Sequence, residues 1–159
     1  MAQLVASHTT DGRVLEPSAG LGRIYKALAQ AVPEARIVLV EESPECSAEL
    51  YRLTADRGGD RIYQRDFLEI MPGDIGGLVD AACMNPPFKQ GADIKHIQHA
   101  LTLLAPSGLL VSLCYNGARQ NAYLKDRCDT WEVLPEGSFR AEGTTASVVL
   151  LTIRKDDES

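Results

Sequence analysis

The sequence predicts an α/β protein: a mostly parallel sheet covered by helices on both faces and ending in an antiparallel strand. Two observations carry this. Short apolar runs of about strand length, bounded by Gly, Pro or charge, alternate with amphipathic helical segments through most of the chain. That alternation calls for right-handed crossovers and hence parallel pairing. At the end the rhythm changes, because "TWEVLP" and "TASVVLLTIRK" follow one another with only "EGSFRAEGT" between them and no helix. The pair reads as a hairpin, which reverses the last strand. At 159 residues and 45% hydrophobic content the chain is long enough for one real core, and residues 1–159 are taken as a single domain.

The elements follow in order. "RVLEP", "RIVLVE", "RIYQRD", "LVDAACMN" and "GLLVSLCY" are the five expected parallel strands. Between the first two, "GRIYKALAQAV" puts Ile24, Ala27, Leu28 and Ala31 on one helical face. "SPECSAELYRLTAD" follows, opened by a Ser suited to capping and a Pro suited to a first turn. "DIKHIQHALTLLAPSG" is the next helix, with Asp93 as candidate cap, Ile94, Ile97, Leu101 and Leu104 as the buried stripe, and "PSG" as the stop. A short helical stretch around "ARQNAYLKDR" precedes the hairpin. The termini, the loop after Phe88 and the hairpin loop are the expected mobile parts.

Composition narrows the function classes. The opening residues lack the order of a secretion signal and no apolar run reaches bilayer length, so no membrane role and a cytoplasmic location are expected. Cys46, Cys83, Cys114 and Cys128 form no CxxC pair and the histidines do not join them at ligand spacing. Reduced structural thiols and no metal are the expectation. The net charge of −6 argues against a broad basic surface. Lys89, Lys95, Arg119, Lys125, Arg127 and Arg140 nevertheless offer a modest local cationic rim beyond the fourth strand.

In an open α/β sheet, ligands bind beyond the carboxyl ends of the strands, and the unusual residues here all fall at such ends. After strand one comes "LEPSAGLGRI", where Gly20 and Gly22 permit a sharp turn and a close ligand approach. Glu16, just before that turn, repels a pyrophosphate and suits a ligand with an ammonium or sulfonium group. After strand two, Glu41 is taken as the last strand residue, placed to accept from ribose hydroxyls. Its bland alternative is a surface carboxylate. After strand three, Asp66 can accept from an exocyclic amine and Phe67 can stack on a base, or the two are a helix cap and a core aromatic.

Strand four ends in "CMNPPFKQ". Two prolines remove donors and stiffen the turn. The Asn85 amide oxygen and the Pro86 carbonyl then point the same way and accept both hydrogens of one NH2 group, with Pro87 holding the geometry and Phe88 offering a ring for a planar substrate to stack on. A rigid turn with a local Asx hydrogen bond is the alternative.

With these residues in order, the chain resembles the class I S-adenosylmethionine-dependent methyltransferases that carry a (D/N/S)PP(Y/F) motif. "NPPFKQGADIKHIQHALTLLAPSGLLVSL" is similar to the small adenine-N6 DNA methyltransferases of phages and prophages. The resemblance runs from about Arg13 to Lys155. It implies a Rossmann-like methyltransferase fold of seven strands with the last antiparallel. It also implies S-adenosylmethionine as cofactor and DNA as the first expected substrate, with RNA, a protein glutamine or a silent binding module as alternatives. Ser18, Gly20 and Gly22 would line the methionine part, Glu16 would meet its ammonium group, Glu41 the ribose, Asp66 the adenine N6 and Phe67 the ring face. Asn85, Pro86, Pro87 and Phe88 would hold the target base. Asp93 and His96, as a helix cap and a helix-surface imidazole, need no chemistry. Only "MAQLVASHTTDG" precedes strand one and no target-recognition domain is evident, so a homo-oligomer or a separate recognition partner is expected to complete pocket or specificity.

Overall fold

A computed structural model of the chain describes residues 1–138 and 145–157. Seven strands form one sheet in the order β3-β2-β1-β4-β5-β7-β6. They are β1 (Arg13–Pro17), β2 (Arg36–Val40), β3 (Arg61–Tyr63), β4 (Val79–Met84), β5 (Leu104–Tyr115), β6 (Thr130–Val133) and β7 (Val148–Arg154). The first five pair in parallel, whereas β7 runs antiparallel to both β5 and β6. The expected fold is the observed one. Arg140 and most of the hairpin loop lie outside the described residues.

Among the described residues five α-helices complete it: α1 (Ala2–Ala6), α2 (Arg23–Ala31), α3 (Pro44–Thr54), α4 (Ala92–Leu103) and α5 (Ala118–Leu124). The period of two along each strand divides the core. Val14, Ile37, Leu39, Ala81 and Cys83 pack with Val5, Tyr25, Leu28 and Leu50 on one face. Leu15, Val38, Val40, Ala82 and Met84 pack with Ile94, Ile97, Ala100 and Leu124 on the other. The buried Asp60 clamps one edge, accepting from the Tyr25 hydroxyl, the Ile37 amide and the Arg57 side chain.

Three expectations change. In α2 the core-facing residues are Tyr25 and Leu28, and Ala27 is exposed, because the helix leans its aromatic rather than its alanines onto the sheet. Strand β2 stops at Val40, one residue before Glu41, although the Glu41 amide still donates to the Tyr63 carbonyl. Ser43 caps α3 as expected, accepting from the Cys46 amide. Asp93, by contrast, is not the residue before the helix: Gly91 precedes α4, and Asp93 lies in its first turn, fully buried, accepting from the Ile94 amide as well as from the Tyr115 amide and the Gln120 side chain. It thereby ties α4, β5 and α5 together behind the loop that follows β4.

Candidate active site

The strand order reverses between β1 and β4, so the carboxyl ends of these two strands open the crevice where such sheets bind ligands. Glu16 and Ser18 come from β1 and its turn, and Asn85 from the end of β4. Glu16, Ser18, Gly20, Ile24 and Asn85 line a single cavity of about 260 Å3. A second cavity of about 220 Å3 is lined by Ser18, Glu41, Asp66, Phe67, Pro87 and His96. The two adjoin at Ser18.

Glu16 is the most constrained group in the site. It is 1% exposed, and its Oε2 has no hydrogen-bond partner among the described residues. Burial pushes its carboxyl well above the ordinary glutamate value, and the nearby Glu41 charge pushes the same way. A buried acceptor left without a donor costs free energy. A cationic ligand group entering this cavity would supply the missing donor and draw the carboxyl back to its charged form.

The turn after β1 is held by Glu41. Its Oε2 accepts from the Gly20 amide at 2.7 Å and its Oε1 from the Ser43 amide at 2.8 Å. Each carboxylate oxygen keeps a second lone pair for a ligand hydroxyl. Ser18 and Gly20 both adopt left-handed backbone, at φ 57° and 53°. A Cβ on Gly20 would meet nothing, so the space beside it belongs to the cavity. Gly22 does a different job, since its missing Cβ would stand 2.8 Å from Leu53 Cδ1 and it does not line the cavity. The two glycines of one GxG turn thus separate into a cavity-facing and a packing role.

Asp66 combines its two readings. Its Oδ1 accepts from the Leu68 amide and caps a short 3-10 turn, while the residue also lines the second cavity. Phe67 is a buried core aromatic that lines the same cavity, with its ring centroid 5.5 Å from His96 and 4.9 Å from His99.

His96 was underrated by its helical position. It is buried rather than on the helix surface, and its Nδ1 lies 3.5 Å from the Ser18 hydroxyl. Burial lowers its pKa, as does His99, whereas the Asp66 and Asp93 carboxylates act in the opposite direction. The ring is therefore neutral at pH 7. The available signal was Asp93, His96 and Ala100 recurring at helical spacing beside the apolar stripe, which gives α4 a second buried face.

On the opposite side of the crevice Asn85 is exposed and its side chain bonds to no described residue, while Pro86 behind it is buried. Pro87 faces the cavity shared with His96, and Phe88 turns toward α5. Burial pushes Cys83 and Cys114 to about 12 and Cys128 to about 11, so these three thiols are not poised for nucleophilic attack.

The model of the methyltransferase small domain matches residues 1–139. The chain is 36% identical over 85 residues to a 4-amino-L-phenylalanine/4-methylamino-L-phenylalanine methyltransferase of Streptomyces pristinaespiralis, covering 54% of this chain and 28% of that one. It is 33% identical over 120 residues to ribosomal RNA large subunit methyltransferase G of Shewanella amazonensis (69% and 30% of the two chains) and 31% identical over 97 residues to the type II methyltransferase M.XamI of Xanthomonas campestris pv. amaranthicola (59% and 18%). The chain thus spans less than a third of the length of each of these relatives.

Among solved structures, the N-methyltransferase NodS of Bradyrhizobium japonicum superposes with a TM-score of 0.74 at 15% identity, over 97% of this chain and 92% of that one. The cyclase SpnF reaches the same TM-score at 16% identity over 98% and 79%, so likeness of fold leaves the reaction open. The family match carries more. Together with a crevice whose orphaned buried carboxylate and bare glycine backbone fit an amino-acid-bearing cofactor, it establishes that this chain belongs to the methyltransferase small domain family, within the class I methyltransferases that use S-adenosylmethionine.

Proposed function

We propose that the chain, acting as a single domain over residues 1–159, transfers a methyl group to an amino nitrogen attached to a planar ring, with adenine N6 in DNA as the first target to test. The observation that supports this best is the free amide of Asn85 at the mouth of the cavity that also holds Glu16. A donor-binding carboxylate and an unsatisfied acceptor thereby face one space from neighbouring strands.

The cofactor, when bound, supplies an electrophilic methyl group on a sulfonium. Glu16 would pair with its ammonium group, Glu41 with its ribose hydroxyls and Asp66 with its adenine amine, while Ser18 and Gly20 leave room along the backbone. An amino nitrogen on a ring is a weak nucleophile because its lone pair is delocalised. Asn85 Oδ1 and the Pro86 carbonyl would accept its two hydrogens, favouring the pyramidal form on which positive charge develops. Phe88 would stack on the ring, and orientation of the two reactants contributes much of the remaining acceleration. The surplus proton leaves to water at the exposed Asn85. A duplex target would be flipped out first.

A second reading has its own support. The Streptomyces relative is named for a free aromatic amine, and the same acceptor pair fits one. Labelled methyl followed from S-adenosylmethionine into unmethylated DNA, RNA, protein and 4-amino-L-phenylalanine, with wild type and Asn85→Ala in parallel, separates these. Label in DNA as N6-methyladenine, dependent on Asn85, is expected. Asn85-dependent label in RNA, protein or the free amine keeps the chemistry and replaces the substrate, whereas label that Asn85→Ala leaves unchanged would sink the assignment.

A further inference from the structure

Between the loop after β4 and the start of α5 lies a cleft of about 300 Å3 that borders the proposed target site at Phe88 and whose far side, at Tyr115 and Arg119, the proposed transfer does not use. Three planar groups face it: the half-buried Phe88 ring, the Tyr115 ring and the Arg119 guanidinium. Tyr115 ends a central strand yet is 42% exposed, and its hydroxyl bonds to no described residue.

Two glycines shape this cleft. A Cβ on Gly117 would stand 2.7 Å from Tyr115 Cε1, and one on Gly91 would stand 3.0 Å from Arg119 Nη1. The ring and the guanidinium therefore rest on bare backbone. Gln90 and Gly91 are both left-handed, at φ 56° and 75°, and this bend brings the Gln90 carbonyl to Arg119 Nη1 at 3.4 Å. A single long hydrogen bond among the described residues leaves most of the guanidinium donors to a ligand.

The charge distribution favours an anionic one. Residues 33–74 carry ten acids against five cations, which accounts for most of the negative net charge. Residues 88–127 reverse this, with Lys89, Lys95, Arg119, Lys125 and Arg127 against Asp126 and the buried Asp93. A planar platform beside a local cationic surface is the combination that binds an unpaired nucleic-acid strand, by stacking and phosphate pairing.

We infer that the Tyr115–Arg119 side of this cleft is a subsite for the base adjacent to the target base on an unpaired nucleic-acid strand, next to Phe88 on the target base, with Arg119 pairing to the phosphate between the two bases. The inference rests on the reading of methyl transfer to an amino nitrogen and narrows its substrate class. It also supplies a source of strand recognition within this domain. A paired neighbour would hide the face that Tyr115 stacks on, so single strands bind ahead of duplex.

The test titrates a short fluorescein-labelled single strand of mixed sequence, and its duplex, against protein saturated with S-adenosylhomocysteine. Wild type is compared with Tyr115→Ala, Tyr115→Phe, Arg119→Ala and Lys26→Ala, the last a cation exposed on α2. Tyr115→Ala and Arg119→Ala are expected to weaken single-strand binding by about 10-fold or more, with Tyr115→Phe and Lys26→Ala within about twofold. Arg119→Ala is also expected to lower the slope of log affinity against log salt by about 0.7, which Tyr115→Ala leaves alone. S-adenosylhomocysteine binding by calorimetry, equal in all variants, shows that each is folded.

Equal strand affinity in every variant overturns the subsite, as does an equal loss in Lys26→Ala, which marks unspecific attraction. Label from the methyl assay confined to a free aromatic amine, with no strand bound, also overturns it. Should Asn85-dependent label reach nucleic acid while the cleft variants bind normally, the subsite falls and the transfer reading stands. Tyr115- and Arg119-dependent strand binding without methylation of any amine removes the transfer reading and overturns the place beside a target base, leaving a strand-binding cleft only.

Discussion

The β1–β3 side and the β4–β5 side of the crevice are finished to different degrees. On the first, polar groups are already held by the protein: Glu41 by the Gly20 and Ser43 amides, Asp66 by the Leu68 amide, Ser18 beside His96. On the second, Asn85 is exposed and unpaired, and Tyr115 and Arg119 face solvent. Rigid geometry suits a reactant that is the same in every turnover, because orientation is then prepared in advance. Open geometry suits a partner that arrives on a larger molecule. Glu16 is the exception on the prepared side, since it is buried and its Oε2 has no donor among the described residues.

The largest expected effect breaks the open side alone. Asn85→Ala should lower methyl transfer by about 1,000-fold, as losing a preorganised polar contact to the reacting group does, while cofactor affinity by calorimetry stays within about twofold. An equal loss in both measurements would show that Asn85 belongs to the cofactor half. Glu16→Gln tests the prepared side. It should weaken S-adenosylmethionine binding by about 10- to 100-fold, the worth of a charge-assisted hydrogen bond, and leave strand binding unchanged.

The GxG turn sharpens the comparison within a few ångströms. Gly22→Ala forces left-handed backbone and meets Leu53 and Leu50 side chains at 2.8 and 3.1 Å, so it should cost about 2 kcal/mol of stability by denaturant unfolding. Gly20→Ala meets no atom and should cost about 1 kcal/mol from backbone alone, but its methyl enters the cavity and should weaken the cofactor more than Gly22→Ala does. The reverse ranking in both measurements would exchange the two roles.

Much of this was legible in the chain. Strands could be read because β1, β2 and β4 are apolar runs cut off by Gly, Pro or charge, and the placement of Glu16, Glu41 and Asn85 at one end of the sheet because each directly follows the apolar residues of such a run, with Asp66 three residues beyond β3. What escaped depends on contacts between distant segments. That Gly22 packs on Leu53, that Asp93 answers to Tyr115 and Gln120, and that His96 meets Ser18 are facts about neighbours 22 to 78 positions away, which no local pattern carries. A helix buried on two faces also reads, from one stripe, as buried on one.

The smallest expected effects have opposite signs in the two adjoining cavities. Glu16 has a raised pKa in the fold, so between its ordinary value of 4.5 and that raised value the native state holds more protons than the unfolded state. Stability then falls as pH rises through this window. His96 has a lowered pKa, so just below its ordinary value of 6.5 the unfolded state holds more protons. Stability therefore falls as pH drops from about 6.5, and is whole above it. In the wild type the two slopes oppose each other across the mildly acidic range. Glu16→Gln should unmask a melting temperature that rises with pH between about 5 and 7, and His96→Gln should unmask one that falls. Saturating S-adenosylmethionine should remove the Glu16 slope, because a charged partner restores that carboxylate, and leave the His96 slope in place. If the ligand instead flattens neither slope, the orphaned oxygen of Glu16 is not where the cofactor's ammonium group sits.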